Sequence, residues 1–163
     1  ITKRISCFDN LLRLILLPTI NNINMESKKI PVGAEYKFTF SFTQQQVNDF
    51  SDLTGDHNPI HTDAEYAATT RFGKCIIHGH LGSSVFTKFL GMNEPGGPGS
   101  IYLKQETEYL RPMFVNKEYE VVFKVMNIRD GKHIAEIATE VYDPETNKIT
   151  IRGTGTLKNT ELY

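Results

Sequence analysis

Gly79-His80-Leu81-Gly82-Ser83-Ser84-Val85-Phe86-Thr87-Lys88-Phe89-Leu90-Gly91 decides the fold. Leu81, Val85, Phe86, Phe89 and Leu90 recur at helical spacing, which predicts a helix over residues 79–91. Almost every residue in it is apolar or small, so it belongs inside the protein rather than on its surface. Gly82, Ser83 and Ser84 let it approach a sheet closely. Gly91 reads as its stop.

The flanking segments supply that sheet. Before the helix, Tyr36, Phe38, Phe40 and Phe42 alternate with Lys37, Thr39 and Ser41, the period of a strand. After the Pro/Gly-rich loop Glu94–Gly99 the strands come one after another. Ile101, Leu103, Gln105, Thr107 and Tyr109 share one expected face. Tyr119, Val121, Phe123 and Val125 share another. Asp130-Gly131 signals a hairpin to a return strand over Ile134–Tyr142. Asp143-Pro144-Glu145-Thr146-Asn147 is a second turn, and Ile149, Ile151, Gly153, Gly155 and Leu157 alternate after it. The expected class is α+β, an antiparallel sheet curved around a long central helix. Between the first strand and that helix, Thr43-Gln44-Gln45-Gln46 is a capping box that predicts a short helix to about Phe50. Residues 51–62 read as loop, and Asp63 caps a further short helix through Ala68.

The chain has 163 residues, the length of one domain. Its boundaries are read as an extension over 1–30, a domain over 31–158 and a tail over 159–163. The apolar run at 11–17 contains Arg13 and ends at Pro18, far short of the ~20 residues that span a bilayer. Lys3 and Arg4 precede it as in a signal peptide, but no small-residue cleavage site follows. Asp9 and the Asn cluster at 21–24 argue against a transit peptide. Ile1 fits a fragment or processed form, and Met25 an original start. With 18 basic and 19 acidic residues, the net charge of −1 attracts neither nucleic acid nor an anionic membrane. Cys7 and Cys75 are too few for a disulfide framework or a Cys-based zinc site and fit a reducing compartment. The cytoplasm is expected, the mitochondrion if residues 1–24 are a transit peptide.

The densest polar cluster is Gly55-Asp56-His57-Asn58-Pro59-Ile60-His61. Asp56 and His61 are separated by about 140° on a helix and lie on opposite faces of a strand. Only an irregular loop brings them together, and Gly55 and Asn58-Pro59 make one. A converging Asp and His hold a water and move its protons. The alternative is that Asp56 and Asn58 form Asx turns and His61 is a cap. The second feature is Ile76-Ile77-His78-Gly79-His80. A glycine at a helix start lets a carbonyl with developing negative charge reach a free backbone N–H. The alternative is a plain helix start. His57, His61, His78 and His80 match no helical metal-binding pair, and no metal is expected. Ser83 and Ser84 lack the context of a nucleophilic serine. His133 falls in a hairpin, where solvation is expected.

Phe50-Ser51-Asp52-Leu53-Thr54-Gly55-Asp56-His57-Asn58-Pro59-Ile60-His61 resembles the hydratase-2 motif of the MaoC-like family of (R)-specific enoyl-CoA hydratases and 3-hydroxyacyl-thioester dehydratases. The motif runs Gly-Asp-x-Asn-Pro-x-His with a small residue six positions on, here Ala67. Ile77-His78-Gly79 and Tyr109-Leu110-Arg111-Pro112 also resemble the family. The resemblance covers roughly residues 31–158.

It implies a single hot dog fold, a homodimer and no cofactor. The implied reaction is reversible hydration of a trans-2-enoyl thioester, on CoA or acyl carrier protein, to the (3R)-3-hydroxyacyl thioester. Asp56 and His61 would hold and activate the water, with Asp56 as base, and return a proton to the alpha carbon. The Gly79 N–H would polarise the thioester carbonyl. Asn58, His78 and Leu81 are the candidates for substrate contact, with Asn58 chiefly shaping the loop. Val85, Phe86 and Phe89 are candidate tunnel walls, and Arg71, Lys74, Lys104 and Arg111 candidate contacts for a CoA phosphate. A hot dog acyl-thioesterase and a non-catalytic acyl-thioester binding subunit are the competing readings.

Overall fold

The computed structural model describes residues 29–163. The apolar run at 11–17, Cys7 and the targeting question lie outside them. The elements are β1 (Glu35–Phe40), α1 (Gln44–Thr54), α2 (Pro59–Thr62), α3 (Ala64–Thr69), α4 (Gly79–Met92), β2 (Ile101–Tyr109), β3 (Tyr119–Arg129), β4 (Ile134–Asp143) and β5 (Lys148–Lys158). All five strands join one antiparallel sheet in the order β1-β3-β4-β5-β2. Leu81, Val85, Phe86, Phe89 and Leu90 of α4 are buried in one cluster with the sheet, as their spacing predicts. The helix passes Gly91 and ends at Met92, capped by Asn93 in extended conformation. Gly82 sets its approach: a β-carbon there would stand 3.0 Å from Ile151 Cδ1 and 3.2 Å from Met113 Sδ.

Strand β3 keeps its predicted face, with Tyr119, Val121, Phe123 and Val125 all buried. Phe123 sits amid aromatic rings, 6.1 Å from Phe38 and Phe86 and 6.4 Å from Phe89 between centroids. Phe123→Ala leaves a cavity that this sheet-and-helix contact does not readily collapse into. A loss of about 3–5 kcal/mol is expected, read as a lower denaturation midpoint at unchanged slope.

Beyond Val125 the alternation of β3 breaks at the extra residue Met126, which is exposed, and two other strands depart from strict alternation for the same reason. Register shifts at Leu103, between the pairs Tyr102↔Leu157 and Lys104↔Thr156. The bulge leaves Ile101 and Leu103 exposed, while Tyr102 donates a 2.6 Å hydrogen bond to Gln105. The five residues expected on one face of β2 therefore do not share it. A second shift, between Val141↔Ile151 and Tyr142↔Ile149, makes Thr150 the extra residue of β5. Its hydroxyl donates to the Val141 carbonyl inside the protein. A bulge adds one residue without a gap in hydrophobicity, so periodicity passes over it.

Residues 159–163 are packed into the domain. Tyr163 is 1% exposed, and Ile30 N–H donates to the Leu162 carbonyl. His133 is half-buried rather than solvated, because its Nδ1–H donates to the Tyr163 carbonyl at 2.7 Å. Chain packing against the hairpin takes this imidazole out of water.

Candidate active site

The site begins at the end of α1. Thr43 and Gln46 form the expected capping box. The helix then runs four residues past Phe50, to Thr54. Gly55, at φ 77°, ends it by donating its N–H to the Ser51 carbonyl at 2.8 Å, a left-handed cap that glycine adopts without strain. The irregular loop thus shrinks to Gly55–Asn58. Asn58 N–H donates to Asp56 Oδ1, and the Asn58 side chain accepts from Ile60 N–H to cap α2, each at 3.3 Å. Asn58 is exposed and builds the loop. The Asx-turn alternative is correct for these bonds but not for His61.

His61 leaves the one-turn helix α2 pointing inward. Its Nδ1 lies 2.8 Å from the Ile76 carbonyl. A carbonyl only accepts, so Nδ1 carries the proton and Nε2 keeps a bare lone pair. The ring stacks on His78 with centroids 3.8 Å apart and planes at 28°. Asp56 is exposed, and it meets the two histidines from the loop. One donor atom from each of Asp56, His61 and His78 lies within 4.8 Å of the others. A single water, bonded at ~2.8 Å on each side, spans such a gap between Asp56 and His61.

His78 is 3% exposed and is the residue before α4. Its Nε2 lies 3.2 Å from both Ser51 Oγ and the Asp56 carbonyl oxygen. Ser51 Oγ–H donates to the same carbonyl at 2.7 Å. The Nδ1 of His78 is buried without a partner. Burial holds this imidazole below its ordinary pKa, against the opposing pull of the Asp56 carbonyl and carboxylate. The 3.9 Å approach of Nε2 to Asp56 Oδ2 is therefore that of a neutral ring.

Gly79 opens α4, in the first turn where N–H groups have no partner within the helix. The Tyr109 ring lies against it: a β-carbon at Gly79 would meet that ring at 3.1–3.3 Å. Tyr109 Oη is held 3.1 Å from Ser83 Oγ and 3.2 Å from His80 Nδ1. The β5 bulge anchors the chain beyond Tyr109, since Leu110 and Arg111 both donate their N–H to the Thr150 carbonyl.

Two cavities meet here, and His61, His78 and Gly79 line both. One, of about 250 Å³, runs past Tyr109 to Arg71 and Arg111. The other, of about 270 Å³, runs past Phe50, Thr54, Asp56 and His80. The structure thus brings Asp56, His61, His78 and Gly79 together. Leu81, like Val85, Phe86 and Phe89, packs in the core and lines neither cavity. Of the four basic residues singled out for a phosphate, Arg71 and Arg111 face the site. Lys74 lies over the Phe114 ring and Lys104 pairs with Glu106 at 2.6 Å. Ser51 and Tyr109 carry no local signal that marks them as lying at the site. Both sit inside motif segments, but only packing across the chain brings them to the site.

Asp56, His61 and His78 are also the one group of potential metal donors among the described residues. A metal needs lone pairs, and His78 Nε2 faces a carbonyl oxygen, so its proton occupies that direction. Coordination through that nitrogen is therefore closed. What the arrangement offers is an ionisable carboxylate and a bare imidazole nitrogen beside a helix N-terminus. Those are the parts for removing a proton from water near a polarised carbonyl.

A family model described as a MaoC like domain matches residues 26–148. An (R)-specific enoyl-CoA hydratase of Aeromonas caviae is 36% identical over 118 residues, 72% of this chain and 87% of the relative. A mitochondrial 3-hydroxyacyl-[acyl-carrier-protein] dehydratase of Solanum lycopersicum is 30% identical, over 70% of this chain and 68% of the relative. The solved (R)-hydratase of A. caviae involved in PHA biosynthesis superposes with a TM-score of 0.76 at 34% identity. It covers 80% of this chain and 98% of that one.

Proposed function

The chain belongs to the MaoC-like domain family, and from that premise we propose that Asp56, His61 and the Gly79 N–H carry the hydration of enoyl thioesters. The fold is a single hot dog, α+β, and the protein is a hydro-lyase acting on trans-2-enoyl and 3-hydroxyacyl thioesters. The single observation behind the site assignment is the approach of the Asp56 carboxylate to the imidazole of His61 within 4.8 Å, next to the start of α4.

In this reading, water sits between Asp56 and His61 Nε2. As its oxygen bonds to C3, its proton passes to the pair, with Asp56 as principal base and His61 sharing the load. Electrons move from the C2–C3 double bond towards the thioester oxygen, where the Gly79 N–H and the α4 dipole stabilise the enolate. The pair then returns a proton to C2 on the same face. Water adds across the double bond with no net change in protons, and no cofactor takes part. The test is loss of enoyl absorbance with crotonyl-CoA and chiral analysis of the product. The (3R) alcohol is expected. Release of free CoA thiol without hydration would place a thioesterase first, and no reaction with any thioester would leave a binding subunit.

The carrier is CoA or acyl carrier protein, and both present a phosphate beyond the pantetheine arm. Arg71 lies over the Phe72 ring at 4.8 Å and Arg111 bonds the Ile149 carbonyl, so both guanidinium groups are held at the cavity. Arg71→Ala and Arg111→Ala are each expected to raise KM for crotonyl-CoA roughly 2- to 5-fold, the worth of one exposed charge contact. KM for the neutral N-acetylcysteamine thioester should not move. Equal effects on both substrates would count against a phosphate contact.

A homodimer along β2 is the expected assembly. β2 is an edge strand. Ile101, Leu103, Tyr109 and Leu110, on it or just after it, are four of the nine exposed large hydrophobics among the described residues. An uncovered apolar edge invites a second strand. Light scattering should give twice the 18.5 kDa chain mass; a monomer at every concentration would overturn this. No helix among the described residues is long and apolar enough to cross a membrane. The free buried thiol of Cys75 fits a reducing compartment, the cytoplasm by expectation or the mitochondrion if residues 1–24 direct it there.

A further inference from the structure

Asp56 poses a positioning problem. Its side chain is 54% exposed and stands on a four-residue loop, so burial does not hold the carboxylate in place. What holds residue 56 is its backbone. The Asp56 carbonyl faces Ser51 Oγ at 2.7 Å and His78 Nε2 at 3.2 Å. Ser51 is 1% exposed and His78 3%, so both are fixed in the interior. The edge of the His78 ring meets Asp56, and its face meets His61 at 3.8 Å. One imidazole therefore touches both members of the pair, while Phe50 packs on it at 5.1 Å.

We propose that Ser51 and His78 form a positioning clamp, in which a neutral His78, protonated at Nε2, joins the Ser51 hydroxyl in gripping the Asp56 carbonyl and supports the His61 ring. The inference rests on the hydratase reading above and adds two residues to it, neither of them touching the reacting atoms. Its chemistry is consistent on three counts. A ring nitrogen facing a carbonyl has to donate, which puts the proton on Nε2. The remaining nitrogen, Nδ1, is then bare and buried without a partner. A second proton there would be a buried donor with nothing to accept it and would face His61 across the stack, so the ring stays neutral while His61 gains and loses charge. An apolar ring would fill the same space without a buried unpartnered nitrogen. Packing alone therefore does not account for a histidine at this position, but a hydrogen bond to Asp56 does.

The test compares His78→Phe, which keeps the flat face and loses the donor, with His78→Gln, which keeps a donor and loses the face. Ser51→Ala removes the second donor. With crotonyl-CoA, His78→Phe should lower kcat roughly 10- to 100-fold, the scale of a small misplacement of a catalytic group, at nearly unchanged KM. His78→Gln should recover part of that, and Ser51→Ala should lose less. Nitrogen-15 NMR of the wild-type His78 ring should show a protonated Nε2 and a bare Nδ1. Circular dichroism and melting curves establish that each variant is folded. If His78→Phe does not fold, Ser51→Ala and the ring tautomer decide the matter. A rise in KM at unchanged kcat would make His78 a substrate contact and overturn the clamp, as would rates within twofold of wild type or the opposite tautomer. Asp56→Asn and His61→Gln in the same assay separate the two claims. If those are inactive and the clamp variants are normal, the clamp alone falls. If the wild type does not hydrate, the hydratase reading falls and takes the clamp with it.

Discussion

Asp56→Asn is expected to cut kcat for crotonyl-CoA hydration by roughly 10²- to 10⁴-fold, the contribution of a positioned general base. The substitution is narrow in its effect. Asn keeps an Oδ1 that accepts the Asn58 N–H bond seen at 3.3 Å, and the Asp56 carbonyl held by Ser51 is backbone. The loop therefore survives, and the carboxylate's exposure leaves little folding energy to lose. What disappears is the ability to take a proton. His61→Gln removes the other acceptor, the bare Nε2 left by the Nδ1–H bond to Ile76, and should cost a similar factor. If both groups act on one water, as proposed, the double variant should be hardly slower than either single one. Initial rates of enoyl absorbance loss check all three. A wild-type rate in either single variant would remove that residue from the reaction. Multiplying losses in the double variant would mean that the two act in separate steps.

Gly79→Pro is the second large effect expected, because it deletes one hydrogen bond donor with little damage to the backbone. Gly79 is the first residue of α4, the helical position where proline is best tolerated. His78 already has φ −54° and ψ 137°, the conformation that a residue before proline prefers. The N–H removed is outside the intrahelical ladder, so the helix should persist. If that N–H stabilises the enolate, kcat should fall roughly 10²- to 10³-fold, as for loss of an oxyanion donor elsewhere. The ring of proline also crowds Tyr109, which a β-carbon would meet at 3.1–3.3 Å. Gly79→Ala separates the two effects, since it adds the β-carbon and keeps the N–H. A modest loss in Gly79→Ala with a severe one in Gly79→Pro identifies the donor. Equal losses would assign the effect to Tyr109 and leave the carbonyl without this partner.

Helix α4 was legible because the face it buries against the sheet repeats its apolar residues every three to four positions, although Gly79, His80, Ser84, Thr87, Lys88 and Met92 on its other side are exposed rather than inside the protein. Strand β3 was legible because Tyr119–Val125 alternates without interruption, before the extra residue Met126 breaks the phase. β2 and β5 were legible as strands but not in phase throughout. The extra residues Leu103 and Thr150 are an ordinary leucine and threonine, and register is settled by the neighbouring strand rather than by composition. The last turn of α1 lies beyond the expected end at Phe50 for a related reason. Residues 51–54 carry no strong signal of their own, and the helix continues to the place where Gly55 closes it.

Asp56, His61 and Gly79 stand out as candidates in the sequence because the turns and caps around them are written locally. An Asx turn, a helix cap and a glycine at a helix start each involve residues within a few positions of one another. The capping box at Thr43 and Gln46 could be read for the same reason. What only the tertiary structure decided lies between distant segments. Ser51 meets His78 across 27 positions, Tyr109 meets His80 across 29, and His61 meets the Ile76 carbonyl across 15. Of the four basic residues read as phosphate contacts, packing turned Arg71 and Arg111 towards the cavity and left Lys104 beside Glu106. A local pattern reports the bonds a segment makes with itself. The tautomer of a histidine, the cover over a glycine and the direction of an arginine are settled by atoms that the segment meets only after the sheet has closed on its helix.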